Sequence, residues 1–249
     1  MIILKTPDEI AIMDEANRIL HSILDRIEPQ IQPGQNTQTL DDIAVECCIE
    51  AKVRPAFKGY KGYLASLCVS VNEAIVHQIP SPLTILKEGD VVSVDFGVEY
   101  KGFYADAART VIIGHTTDRI SHLVANTRAA LWAGIEQMKV GNRLQDISRA
   151  IEDIARTNHY GNIRTLCGHG IGRALHQPPN LLNYTDHKAP NIRLQEGLVL
   201  AIEPMFTLGS SDVKVLGDGW TAVTADGSVA VHWELSVAVV NGKAKVLGC

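Results

Sequence analysis

The chain has 249 residues, of which 46% are hydrophobic and 20% charged, a balance that excludes a disordered polymer and leaves room for a sizeable core. A formal net charge of −5 without a basic stripe disfavours a nucleic-acid binder. No apolar run approaches the roughly 18 residues of a membrane span, and residues 1–9 lack the apolar stretch of a signal peptide.

The first predicted element is a helix, because Ile10, Met13, Ala16, Leu20, Ile23 and Ile27 recur at three- and four-residue steps. Thr6 offers an N-cap hydroxyl, Pro7 a first-turn proline and Glu9 a capping-box carboxylate, while Pro29 and Pro33-Gly34 end it. A second helix is expected from Leu40 to Ala51. The β-branched runs 67–77 and 90–100 predict strands, and 109–114 a third. Helical spacing returns at Ile120, Leu123, Thr127, Leu131, Ile135 and Met138, then at Leu144, Ile147, Ile151 and Ile154. Strands are expected again at 198–206, 220–225 and 231–240. The five cysteines, Cys47, Cys48, Cys68, Cys167 and Cys249, form no Cys-x-x-Cys pair and read as small core fillers in a reducing cytosol.

Helix pair, strands, helix pair, strands is the order of a duplication. Glu88-Gly89-x-Val91-x-x-x-Asp95 recurs as Glu196-Gly197-x-Val199-x-x-x-Glu203, offset by 108. Asp106, Val111 and Gly114 recur as Glu234, Val239 and Gly242, and Gly34, Leu40 and Ile43 as Gly141, Ile147 and Ala150. Two pseudo-symmetric halves should join their antiparallel strands into one sheet with helices on one side, an α+β arrangement. No linker rich in Gly, Ser or Pro divides the chain, so one domain over 1–249 is expected.

The repeat sets acids at matched strand positions, Asp95 and Asp106 in one half and Glu203 and Glu234 in the other. Inside apolar runs these carboxylates should be buried, where an isolated one prefers to take up a proton and several repel one another. Two divalent cations would balance the four charges. His169, flanked by glycines, adds an imidazole. This thiol-free set suits two Mn²⁺, Fe²⁺, Co²⁺ or Zn²⁺ ions better than a closed structural zinc site. Singly, the members read more plainly: Asp106 can pair with Arg109, and Glu203 can end a strand before Pro204. His77 and His176 read singly as ordinary satisfied histidines, as do His21, His115, His122, His159, His187 and His232. Glu73, Glu88 and Glu196 read as solvated or turn residues.

Five segments taken together are specific. They are "SVNEAIVHQIP" around His77, Asp95 followed eleven residues on by Asp106, "GHGIGRALH" around His169 and His176, "IEPM" around Glu203, and "WTAVTADGS" leading to Glu234. Over nearly its whole length the chain resembles the type I methionine aminopeptidases, which have the pita-bread (creatinase/aminopeptidase) fold. The resemblance implies a single catalytic domain, with two divalent ions (Co, Mn, Fe or Zn) held by Asp95, Asp106, His169, Glu203 and Glu234. It implies removal of the N-terminal methionine from peptides and nascent proteins when the next residue is small, by a hydroxide shared between the ions. Glu203 would shuttle the proton, His176 would stabilise the oxyanion, and His77 would hold the leaving nitrogen. Tyr60, Tyr63, Cys68 and Trp220 would line the methionine pocket with His77 and His176. A cytoplasmic monomer is implied, with transient contact to the ribosome and neither membrane nor DNA as partner.

Glu203 and Glu234 stand 31 residues apart, which leaves no room for the insert of the type II enzymes, and neither a zinc-finger extension nor the extra N-terminal domain of the prolidases is expected. The chain departs from the resembled pattern at Leu64, Val76, Gln78, Ala107 and Leu175. Where that pattern has Gln-aromatic-Glu-His, this chain has His232-Trp233-Glu234-Leu235. Two other readings fit these departures: a relative with different N-terminal specificity, or a binding homologue without turnover.

Overall fold

The computed structural model describes residues 2–249. Two helices, α1 (Pro7–Ile27) and α2 (Thr37–Ala51), precede the strands β1 (Arg54–Pro55), β2 (Leu67–Val71), β3 (Ala74–Val76), β4 (Val91–Tyr100) and β5 (Phe103–Ile112). A second pair, α3 (Asp118–Glu136) and α4 (Leu144–Thr157), precedes β6 (Gly161–Asn162), β7 (Gly168–Gly170), β8 (Gln177–Leu181), β9 (Val199–Ile202) and β10 (Met205–Thr207). The chain closes with β11 (Val213–Val215), β12 (Ala222–Thr224), β13 (Ala230–His232), β14 (Glu234–Val240) and β15 (Lys243–Val246). Among the described residues no helix is long and apolar enough to cross a membrane.

The expected N-terminus of α1 is present: Thr6 accepts from the Glu9 amide, and Glu9 accepts from that of Thr6. Helix α2 starts earlier than the apolar spacing suggests, because the Asn36 side chain caps it by accepting from the Thr39 amide at 3.0 Å.

A nine-stranded sheet runs β1-β4-β5-β14-β9-β7-β8, with β2 on β4 and β15 on β14. Every pair is antiparallel, and the halves meet where β5 pairs with β14 at Glu234↔Ala108 and Leu235↔Ala107. Strand alternation divides the sheet by chemistry. Val92, Val94, Phe96, Val98, Ala105 and Ala107 pack under α1 and α2, while Leu200, Ile202, Val237 and Val239 pack under α3 and α4. Register puts all of these on one face, so the helices cover one side as expected.

The duplication recurs in the hydrogen bonds. Glu88 accepts from the His115 amide at 2.9 Å, and Glu196 from Asn241 and Gly242 at 2.7 and 2.9 Å. Both acids close turns. Gly89 donates to Ile113 and Gly197 to Val239, at 2.7 and 3.0 Å.

The strand expectations need correction at five places. Strand β5 begins at Phe103, not at 109, because Lys101 and Gly102, both at positive φ, turn a hairpin out of β4. The run 67–77 breaks at Asn72, whose φ is 56°, and β3 leaves for a small sheet with β12 and β11. The runs 198–206 and 231–240 break at Glu203-Pro204 and at Trp233. Pro204 has no N–H to continue the ladder, so β10 and β13 depart together into a sheet with β6. The run 220–225 shrinks to Ala222–Thr224 because the amides of Trp220 and Thr221 both donate to Asp218.

Candidate active site

The uncovered face of the sheet is where the acids point. Asp95 stands opposite Ala108, and Ala108 opposite Glu234, so one row across three strands carries both acids. Asp106 faces Gly97 on the same side, and His169 pairs with Ala201, which pairs with Ser236. Glycine, alanine and serine thus fill the positions between the functional groups and leave space above them. Two glycines of these strands are tight: a Cβ at Gly97 would lie 2.8 Å from the Phe57 ring, and one at Gly168, beside His169 in β7, 2.5 Å from the Ala201 carbonyl oxygen.

Asp95, Asp106, His169 and Glu234 are buried, and Glu203 nearly so. His169 Nε2 lies 3.6 Å from Glu203 Oε1 and 3.9 Å from Asp106 Oδ2. Its Nδ1 is 3.0 Å from the Gly170 carbonyl; donating there leaves the Nε2 lone pair facing the acids, the tautomer a metal ligand needs. Asp106, His169 and Glu234 each bring one donor atom within 4.8 Å of the others, and so do Glu203, His232 and Glu234. Glu234 belongs to both sets. Asp95 belongs to neither, although it shares their face of the sheet.

Burial drives all four acids up from ordinary carboxylate values, and their mutual repulsion adds to it: Glu234 and Asp95 on Asp106, Asp106 and Asp95 on Glu203, Glu203 and Asp95 on Glu234. Asp95 Oδ1, Asp106 Oδ1 and Glu234 Oε1 are buried acceptors with no hydrogen-bond partner. A nest of repelling, donor-starved oxygens beside a free imidazole lone pair fits divalent cations, which would satisfy both defects at once. Cys68 faces Asp95 across β2 and β4, but burial and the neighbouring acid hold its thiol protonated. It is therefore a lining group and not a thiolate donor.

Above this nest lies a cleft of about 140 Å³, close to the roughly 150 Å³ that takes one benzene ring. Tyr60, Tyr63, Cys68, His77, His176 and Trp220 line it together with Asp95, Asp106, His169, Glu203 and Glu234. Every residue singled out in the sequence for metal or substrate thus meets at one place. Tyr63 meets Trp220 edge to face at 5.1 Å, and its hydroxyl donates to the Leu67 and Gln78 carbonyls, both at 3.2 Å. His176 Nδ1 is 2.9 Å from the Tyr60 hydroxyl, and its ring lies 4.1 Å from that of His169. Burial, with His169 and Lys61 nearby, lowers His176 to about 3, so the ring is neutral at pH 7. With Tyr60 donating to Nδ1, the ring proton sits on Nε2. His77 holds a φ of 62°, a left-handed conformation that is uncommon for a non-glycine residue.

Three further residues belong here. Phe57 and Lys61 line the cleft, and nothing in their sequence context marks them. His232, read from the sequence as an ordinary buried histidine, stands beneath Glu203 and Glu234. Its position two residues before Glu234 in an expected strand was the available signal, since i and i+2 share a face. Among the departures, Ala107 and Leu235 pair with each other and turn to the helix side. Gln78 is tucked onto β2, where its Oε1 accepts from the Val71 amide at 2.9 Å. Only Leu175 reaches the cleft.

The profile of Metallopeptidase family M24 matches residues 11–241. A methionine aminopeptidase of Borreliella burgdorferi is 43% identical over 244 residues, covering 98% of this chain and 97% of that one. The crystal structure of a methionine aminopeptidase from Thermotoga maritima superposes with a TM-score of 0.95 at 41% identity, covering 100% and 99% of the two chains. A prolidase from Pyrococcus furiosus, 21% identical, shares the fold with a TM-score of 0.81 over 99% of this chain and 65% of its own. Acid nest, cleft, sheet and sequence agree on one assignment: the chain belongs to metallopeptidase family M24.

Proposed function

We infer that the chain is a metal-dependent methionine aminopeptidase acting on peptides and nascent proteins whose second residue is small. The observation that carries this reading is the placement of the donor-starved carboxylate and imidazole nest at the floor of a cleft sized for one side chain. Two divalent ions are proposed, with Asp95, Asp106, His169, Glu203 and Glu234 to hold them. When bound, such ions act as Lewis acids and lower the pKa of water toward about 7.

The protein's own groups supply the rest. The substrate's free α-amine would be bound at the metal centre that these residues hold, which restricts cleavage to N-termini. Its side chain lies against Tyr63, Cys68 and Trp220, an aromatic and sulfur surface matched to a polarizable thioether. Glu203 accepts a proton from the attacking water and passes it to the leaving nitrogen. His176, neutral and oriented by Tyr60, donates Nε2–H to the carbonyl oxygen as charge builds there. His77 holds the leaving nitrogen from the Trp220 side, its ring 6.3 Å from that indole.

Discrimination by a hydrophobic pocket is modest, about 10–200-fold per methylene. Leucine and norleucine at the first position are therefore expected to be cut slowly. The test is cleavage of Met-Ala-Ser, Leu-Ala-Ser and Met-Trp-Ser peptides by protein stripped with EDTA and reloaded with Mn²⁺ or Co²⁺. Metal-restored cleavage of Met-Ala-Ser, well above the other two, is expected. Cleavage indifferent to EDTA and reloading, or equal on all three, refutes the assignment.

A further inference from the structure

His232 ends β13, one residue before Trp233, where the chain passes from the small sheet into the large one. It is 1% exposed, and neither ring nitrogen has a hydrogen-bond partner. Nε2 lies 3.7 Å from Glu203 Oε2 and 3.8 Å from Glu234 Oε2. Those separations exceed a hydrogen bond. They are close to the spacing of atoms that share one ion: with donor–ion distances of about 2.0–2.2 Å, neighbouring donors stand roughly 3.0–3.6 Å apart.

The backbone fixes this placement. Thr110 Oγ1 donates to the His232 carbonyl at 2.7 Å and faces the His232 amide at 3.3 Å, while Ser93 Oγ backs Thr110 at 2.8 Å. Leaving both nitrogens of a buried imidazole without partners is costly, and a cation takes a lone pair where a carboxylate without its proton cannot.

We propose that His232 is a second imidazole donor of the metal centre, binding a divalent cation through Nε2 together with Glu203 and Glu234. The proposal rests on the metal-centre reading above and adds a ligand to it. His169 and His232 then stand on opposite sides of Glu203, one imidazole near each of its oxygens. A centre with two imidazoles favours Co²⁺ and Zn²⁺ over Mn²⁺ more than one with a single nitrogen does.

Titration of the stripped protein with Co²⁺ tests it, followed by calorimetry and by proton NMR of hyperfine-shifted, exchangeable imidazole N–H signals. Wild type is expected to show two such signals, one for each ligating histidine. His232→Gln and His232→Asn are expected to show one, and to bind Co²⁺ at least about tenfold more weakly. A cobalt-loaded wild type with a single shifted signal overturns the proposal and leaves the metal-centre reading intact, and this count needs no variant to fold. A folded His232→Gln protein that keeps both signals and wild-type affinity also overturns it. Wild type that binds no Co²⁺ removes both the proposal and the reading beneath it. A histidine that only donates a hydrogen bond to Glu203 gives the one-signal result.

Discussion

His176 owes its assigned task to its burial and to Tyr60. Burial keeps its ring neutral, and a hydrogen bond donated by the Tyr60 hydroxyl to Nδ1 would leave the proton on Nε2. Replacing it with alanine should lower kcat by about 10²–10³-fold with little change in KM, as loss of an oxyanion donor does; steady-state kinetics on Met-Ala-Ser measure both. Glu203→Gln should keep the fold and lose at least about 10²-fold in kcat. Lys5, which plays no part in this chemistry, carries a pH effect. Its buried ammonium donates to the Ile3 carbonyl and to Gln177, and burial lowers it to about 8. The unfolded chain holds that proton up to about 10.4. Between these values the unfolded state binds more protons, so stability rises with pH there, and below 8 the cost is fully present. Lys5→Met should flatten this rise between pH 8 and 10, measured as the wild-type-minus-variant difference in urea midpoint.

At the scale of elements, glycines decide how closely the strands approach. Gly168 lies against the backbone of β9, and alanine there would drive β7 off its neighbour and carry His169 with it. Gly168→Ala should cost about 1–3 kcal/mol in urea unfolding and weaken Co²⁺ binding. The helices were legible in sequence to within a few residues because their apolar spacing is sustained and their caps are chemical. The strand breaks at Asn72 and Trp233 were not, since an apolar run reads the same whether it stays in one sheet or crosses into another; the break at Pro204 was legible only in the plainer reading of Glu203 as a strand end. β7 and β8 were missed because Gly168–Gly170 and Gln177–Leu181 carry glycine, proline and polar residues where β-branched ones are the cue. The acids were legible as a group through the repeat. His232 offered only its i, i−2 relation to Glu234, and its lack of partners is displayed by the folded structure alone.

For the whole molecule, the continuous sheet joins both halves, and we propose that residues 1–249 act as one catalytic unit. Heating should give a single cooperative transition. Loading with Mn²⁺ or Co²⁺ at about 100 times its Kd should add about 2.7 kcal/mol and raise Tm by roughly 5–10 °C over the EDTA-treated protein. Two separate calorimetric peaks would refute the single unit, and an unchanged Tm would refute metal binding to the native state. The seam between β5 and β14 has a bearing on descent. Asp95 and Asp106 come from one side of it, His169, Glu203 and Glu234 from the other; two registered residue pairs join the halves in the large sheet, and β3 with β12 adds two more in a small one. A half-length ancestor would have needed a sister molecule docked edge to edge to gather such a ligand set, and gene fusion would then have made an encounter between strangers permanent.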